Sequence, residues 1–209
     1  MPPEILLAFD TSAAHCAAAL LLPDGRCLIR QEDMAKGQAE RLLPLLEEIL
    51  AEAGVGWRDL AGIGVGTGPG NFTGVRISVA AARGLALSLS VPAIGVTRLE
   101  ALAHGLPRPV TVVEDARREE AYVQHFHAEG ADPAGLRALA GLSVAGPVTG
   151  SAAAALGLPV LPAAMPLVEA IARLAALRLG SAQPRPAPFY LRGADAAPPS
   201  DPPPVILDA

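Results

Sequence analysis

Two stretches of the chain combine residue types and spacing that could support chemistry. Gly66-Thr67-Gly68-Pro69-Gly70-Asn71-Phe72-Thr73-Gly74-Val75-Arg76 follows a short apolar run, residues 61–65, and leads into residues 75–89, which are apolar for most of their length. Strand, glycine-rich turn and helix start, in that order, leave free backbone N–H groups at the positive end of a helix, where many α/β proteins hold an anion. Gly68, Gly70, Asn71 and Thr73 are therefore candidates for a nucleotide or anion loop. The same residues have a plainer role: Gly68 and Gly70 allow a tight turn, Pro69 stiffens it, and Asn71 or Thr73 caps the helix. The second stretch is Asp10-Thr11-Ser12, directly after the apolar residues 5–9. A carboxylate at a strand end can place a metal or an attacking water, or it can cap the turn that follows.

Other chemistries lack their pattern. A Walker A loop ends in Gly-Lys-Ser/Thr, and Lys36 is the only lysine of the chain, so that loop is excluded. The dinucleotide pattern G-x-G-x-x-G fails at every glycine from Gly62 to Gly70, and no G-x-S-x-G nucleophile turn occurs. The histidines are His15, His104, His125 and His127. His125 and His127 share the i, i+2 spacing of one strand face and read as half-exposed strand residues rather than ligands. Asp115 and Glu119 suggest a carboxylate pair, but Arg117 and Arg118 lie between them and surface ion pairing accounts for the group. No metal ligand and no catalytic residue is assigned.

Arg76 and Arg83 stand seven positions apart on a segment that is otherwise apolar nearly all round. Seven residues are close to two helical turns, so both point the same way. A buried arginine destabilises unless it is paired, which points to acidic groups across the molecule or on a partner.

Composition narrows the class. The chain has 209 residues, 51% of them hydrophobic, and a net charge of −5. Such an acidic chain is a poor autonomous binder of nucleic acid, and with 3% aromatic residues it offers no stacking platform. RNA is expected only through a partner. No apolar stretch approaches the roughly 20 residues of a membrane span, and residues 5–9 are too short and lack the basic flank of a signal peptide. A cytoplasmic location is expected. With a hairpin turn at Asp24-Gly25 and Leu22 facing Cys27, Cys16 and Cys27 are on the order of 20 Å apart, too far for a disulfide. They read as buried thiols of a reducing compartment.

These residues need a scaffold. Residues 5–9, 16–22 and 26–30 read as a three-strand meander turned by Pro23-Asp24-Gly25. Residues 39–53 read as an amphipathic helix with Leu42, Leu46, Ile49, Leu50 and Ala53 on one face; Pro44 must lie in its first turn or kink it. A strand at Ile63, the glycine loop, a helix over 75–89, a strand over 92–96 and a short helix capped by Thr97 follow. Residues 110–114 and 121–126 read as strands of a second lobe, and 151–156 and 167–179 as helices. The fold class is α/β. The order β-β-β-α-β-α-β, opened by a strand ending in an acid, matches the ribonuclease-H-like unit that the actin-like superfamily uses twice. The expected organisation is one such lobe over residues 1–106, a reduced second lobe over 107–192, and a Pro-rich tail over 193–209.

Several ordered blocks carry a resemblance. Leu7-Ala8-Phe9-Asp10-Thr11-Ser12, Glu40-Arg41-Leu42-Leu43-Pro44, residues 68–77, Asp115-Ala116-Arg117-Arg118-Glu119 and Tyr190-Leu191-Arg192 together resemble the bacterial TsaB (YeaZ) family. The glycine block is the most specific of them. The resemblance implies a catalytically idle relative of TsaD that partners TsaD as a heterodimer. With the small ATPase TsaE it supports formation of N6-threonylcarbamoyladenosine at position 37 of tRNAs reading ANN codons. It implies homodimerisation when the chain is alone, no tightly bound cofactor, and ADP or ATP at most at the complex interface. TsaD-type enzymes carry a His-x-x-x-His metal pair on the helix that matches residues 39–53. Here Gly37-Gln38-Ala39-Glu40-Arg41 holds no histidine, and Gln38-Ala39 replaces the single histidine many family members keep. Asp10 is then a degenerate superfamily acid. The partner interface is expected on Leu42, Leu46, Ile49, Leu50, Arg76, Val79 and Arg83, and arginine at Leu46 or Val79 is expected to abolish the heterodimer without unfolding the chain. The alternatives are a small metal-dependent hydrolase, following the older M22 glycoprotease description, and a weak nucleotide-binding regulator.

Overall fold

The computed structural model describes residues 4–192; the Pro-rich segment 193–209 lies outside them. Strands β1 (Ile5–Asp10), β2 (His15–Leu21) and β3 (Cys27–Asp33) form the expected meander. Helix α1 (Gln38–Ala53), strand β4 (Leu60–Gly66), helix α2 (Phe72–Leu89) and strand β5 (Ala93–Val96) complete the first lobe. The sheet order is β3-β2-β1-β4-β5, with β1 parallel to β4 and β4 parallel to β5. That is the ribonuclease-H-like topology read from the sequence. The hairpin pairs Cys27 with Leu21 rather than Leu22, so the connection is longer than a two-residue turn. Both cysteines are free.

Alternation along β1 and β4 builds two cores. Leu7, Phe9, Ile63 and Val65 face α1 and α2, where Leu42, Leu46, Ile49, Val75 and Val79 pack against them. Leu6 and Ala8 face the opposite way. On that side of β4 stand Gly62 and Gly64, where an added Cβ would come within 2.7 Å of Leu179 and 2.9 Å of Ala175. The glycines let a helix lie almost on the strand backbone. Pro44 falls in the second turn of α1, not the first. It is exposed, as is Glu40, so the carbonyl that loses its helical donor there faces water.

After helix α3 (Arg98–Ala103), the second sheet takes the order β8-β7-β6-β9, from β6 (Val110–Asp115), β7 (Glu120–Phe126), β8 (Gly135–Ala138) and β9 (Val148–Thr149). It repeats the first sheet in smaller form. Residues 151–156, expected as a helix, form only a short 3-10 turn at Ala153–Leu156.

Residues after β9 do not all stay with the second sheet. Helix α4 (Leu167–Arg178) covers the glycine-marked face of the first sheet: Val168, Ile171, Ala172 and Ala175 share a core with Leu6, Ala8, Ala17 and Ile94. That face is apolar and otherwise open, so its burial brings the chain back. The chain then runs as an extended strap across the glycine loop. Pro186 is buried, Phe189 donates its N–H to the Thr67 carbonyl at 2.8 Å, and Arg192 reaches Glu120 of the second sheet at 2.6 Å.

Candidate functional site

Between the two sheets lies a cleft of about 880 Å³. Two hairpin turns face it, residues 12–14 after β1 and residues 115–118 after β6, together with the glycine loop, Arg98 and Arg192. The turns are built alike: Asp10 accepts the N–H of Ser12 at 3.2 Å, and Asp115 that of Arg117 at 2.9 Å. Asp115 thus ties its own turn, a role the expected surface ion pairing with Arg117 and Arg118 did not include. Arg117, Arg118 and Glu119 all take left-handed backbone conformations, with φ of 62°, 54° and 59°.

Asp10 is 1% exposed, and its Oδ2 takes three hydrogen-bond contacts. Its Oδ2 lies 2.7 Å from His15 Nε2 and accepts the Ser12 hydroxyl at 2.9 Å. Burial pushes the carboxyl pKa up. The hydrogen bond and charge of His15, the charge of Arg98 and the Ser12 hydroxyl outweigh it and hold the group below the usual carboxylate range. Asp10 therefore acts as a turn cap and ion-pair anchor. His15 escaped the sequence reading because Asp10 pairs with Ala17 across the hairpin, and only the closed turn folds His15 back onto the acid.

The glycine loop packs onto that same turn. Asn71 caps α2, its Oδ1 accepting the Gly74 N–H at 3.0 Å. Its own N–H donates to the Ser12 carbonyl at 2.6 Å, and the Thr11 hydroxyl donates to the Gly74 carbonyl at 2.6 Å. A Cβ at Gly70 would strike the Ser12 carbonyl, one at Gly74 the Thr11 carbonyl, and one at Gly66 the Asp10 carboxylate. These glycines are required by close approach of the β1–β2 turn. Gly68 is buried; Gly70 and Asn71 are exposed and line the cleft, while Thr73 is exposed but does not line it.

Arg98 joins the lobes. Its Nε donates to Glu114 at 2.6 Å, and the other Glu114 oxygen accepts the Ser151 N–H at 2.6 Å. Glu114 is 5% exposed. The Nη1 of Arg98 is buried and, among the described residues, has no hydrogen-bond partner. Neither residue stood out in the sequence: Arg98 follows the cap Thr97, and Glu114 ends the strand read over 110–114.

The expected interface residues divide. Leu42, Leu46, Ile49, Leu50 and Val79 are at most 3% exposed. They cannot form a docking surface, because the amphipathic faces that carry them are the faces that close the first core. Arg76 and Arg83 are both exposed, so the premise of buried arginines also falls. Arg76 is held inside the chain: its guanidinium carbon sits 3.8 Å from the centre of the Phe72 ring, and its Nε donates to the Tyr190 hydroxyl at 3.0 Å. Phe72 and Tyr190 stack at 5.0 Å between centroids. Exposed apolar side chains on α1, α2 and the strap are Leu43, Phe72, Leu87 and Tyr190, exposed by 47%, 42%, 82% and 41%. By length and composition alone α2 could cross a membrane, contrary to the expectation that no stretch could, yet its buried stripe is part of the first core.

His125 and His127 meet edge to face, 4.5 Å between centroids. His125 Nδ1 lies 2.7 Å from the Thr111 hydroxyl and His127 Nε2 lies 2.8 Å from Asp132. Among the described residues no group of three His, Cys, Asp or Glu side chains converges as metal ligands do.

Comparison with known proteins adds to this geometry. The model of the family described as "TsaD: tRNA N6-adenosine threonylcarbamoyltransferase" matches residues 30–193. The chain is 38% identical over 122 residues to the Escherichia coli "tRNA threonylcarbamoyladenosine biosynthesis protein TsaB", an alignment covering 56% of this chain and 52% of that protein. The chain thus spans about half the length of the curated TsaB relatives it matches. It is 33% identical over 202 residues to "Uncharacterized protein Rv3421c" of Mycobacterium tuberculosis, covering 92% of this chain and 94% of that one. Among solved structures, "YeaZ from Pseudomonas aeruginosa" superposes with a TM-score of 0.74 at 29% identity, covering 90% of this chain and 100% of that one.

Proposed function

The chain belongs to the TsaB (YeaZ) family of the actin-like fold, and on that premise we propose that it is a non-catalytic partner subunit in threonylcarbamoyladenosine formation on tRNA. In this reading it binds a TsaD-type transferase, supports its activity within a complex that also includes TsaE, and meets tRNA only through that complex. The observation that carries the reading is the exposed cluster Phe72–Arg76–Tyr190 at the start of α2. Aromatic and arginine side chains held rigid at the surface are the composition of interaction hot spots. Reconstitution tests it: purified TsaD and TsaE, substrate tRNA and threonylcarbamoyl-AMP, with and without this chain. Transfer should depend on the chain, and the chain alone should turn over nothing. Transfer at full rate without it, or hydrolysis by the isolated chain, contradicts the proposal.

A second reading, a weak nucleotide-binding regulator, is favoured by one feature. The interlobe cleft carries Arg98, Arg117, Arg118 and Arg192 at a size suited to a small ligand. Calorimetry with ADP, on the chain alone and with both partners, decides it; binding heat that Arg117→Gln diminishes supports the regulator, and silence in both settings removes it.

A further inference from the structure

A second groove, of about 330 Å³, opens where α3, α4 and the loop after β7 meet. It shares no lining residue with the interlobe cleft. Its walls carry His104, Arg108, His127 and Arg178 against one carboxylate, Glu100. That carboxylate is already occupied: Arg178 donates to Oε1 at 2.7 Å, and the N–H and hydroxyl of Thr97 donate to Oε2 at 2.9 and 3.0 Å. The exposed His127 is likewise taken up by Asp132, just beyond the rim.

Arg108 is placed differently. Among the described residues it forms no ion pair, and its guanidinium carbon stands 4.7 Å from the centre of the Phe126 ring. Partial burial pushes its pKa down. His104 beside it is pushed down too, by burial first and then by the charges of Arg173, Arg108 and Arg178. A chain of net charge −5 thus gathers positive potential in one concave spot. Low-dielectric walls focus such potential on an incoming anion, and a planar guanidinium over an aromatic face presents its free edge as a fork for an oxyanion.

We propose that this groove binds a small oxyanion, a phosphate or carboxylate group, with Arg108 as its principal cation and His104 as a second donor. The volume lies at the lower end of ligand pockets, so the group carries at most a small organic substituent. The site is independent of the partner-subunit reading.

The test follows the imidazole resonances of the full chain by NMR during titration with inorganic phosphate, and in a parallel arm with acetate. The His104 signals should shift saturably and its pKa should rise, because a bound anion favours the imidazolium, while the His15 signals stay in place. Saturation by phosphate alone assigns a phosphate ligand; saturation by acetate alone assigns a carboxylate. Arg108→Gln should weaken binding about tenfold at an unchanged thermal midpoint, and His104→Asn should reduce the binding heat in calorimetry. Arg58→Gln, at an exposed position that lines neither groove nor cleft, should leave affinity as it was. Absence of a saturable shift with either anion, reproduction of the shift by sodium chloride at equal ionic strength, or binding indifferent to Arg108→Gln overturns the proposal.

Discussion

His15 Nε2 stands 2.7 Å from Oδ2 of Asp10, across the turn that ends β1. The acid is almost wholly buried and its pKa lies below the usual range despite that burial. The folded state therefore binds its proton less readily than the unfolded chain, whose aspartate titrates near ~3.9. The resulting stability is fully present above that value and is lost as pH falls through the folded pKa. Asp10→Asn should cost about 2–4 kcal/mol at pH 7, since it leaves His15 and Ser12 short of a partner, and should flatten the acid side of the stability profile. Chemical denaturation at pH 3, 5 and 7 measures both; a variant whose loss is the same at all three contradicts the assignment.

Gly74→Ala should destabilise the chain by more than about 3 kcal/mol. The new methyl strikes the Thr11 carbonyl, and neither backbone can yield while Asn71 remains bonded to Ser12. Gly84→Ala, in the same helix with open space around it, should instead be neutral or stabilising by a few tenths of a kcal/mol, up to about 1. Thermal melts of the pair give the contrast.

Partner binding and folding should separate on α2. Phe72→Ala and Tyr190→Ala should weaken association with a TsaD-type partner about tenfold or more with little change in melting temperature. Leu46→Arg should unfold the chain, because it places an unpaired charge at a 0% exposed position. Circular dichroism alongside a binding titration distinguishes the cases; a folded Leu46→Arg that fails to bind would restore the original interface expectation.

Arg98 and Glu114 should behave as an interlobe latch. Arg98→Ala leaves Glu114 buried and single, and should cost about 3 kcal/mol. The double variant with Glu114→Ala should recover part of that loss. A double-mutant cycle with no coupling contradicts the latch.

Burial pushes the Cys16 and Cys27 thiols up to about 11. At neutral pH their thiolate fraction is roughly 100-fold below that of a free cysteine. Alkylation of the native chain should be slow at both and should become rapid in denaturant; fast native modification of Cys16 would mean its pocket opens.

Much of this was legible in the sequence wherever a local rule sufficed. The meander, α1, β4 and α2 follow from alternation and helical spacing, and Asn71 and Thr97 follow from capping chemistry, because each depends on neighbours a few positions away. The alternation Gly62-Ile63-Gly64-Val65-Gly66 reads in sequence only as an apolar strand, although its glycines line one face and admit close approach there. Only the tertiary structure decided that α4 makes that approach, that Gly70 and Gly74 serve the β1 turn, and that the apolar stripes of α1 and α2 are spent on their own sheet. The same stripe of leucines seals a core or meets a partner with equal ease. The choice depends on which surface the chain returns to cover, a contact between residues far apart in sequence that spacing cannot encode.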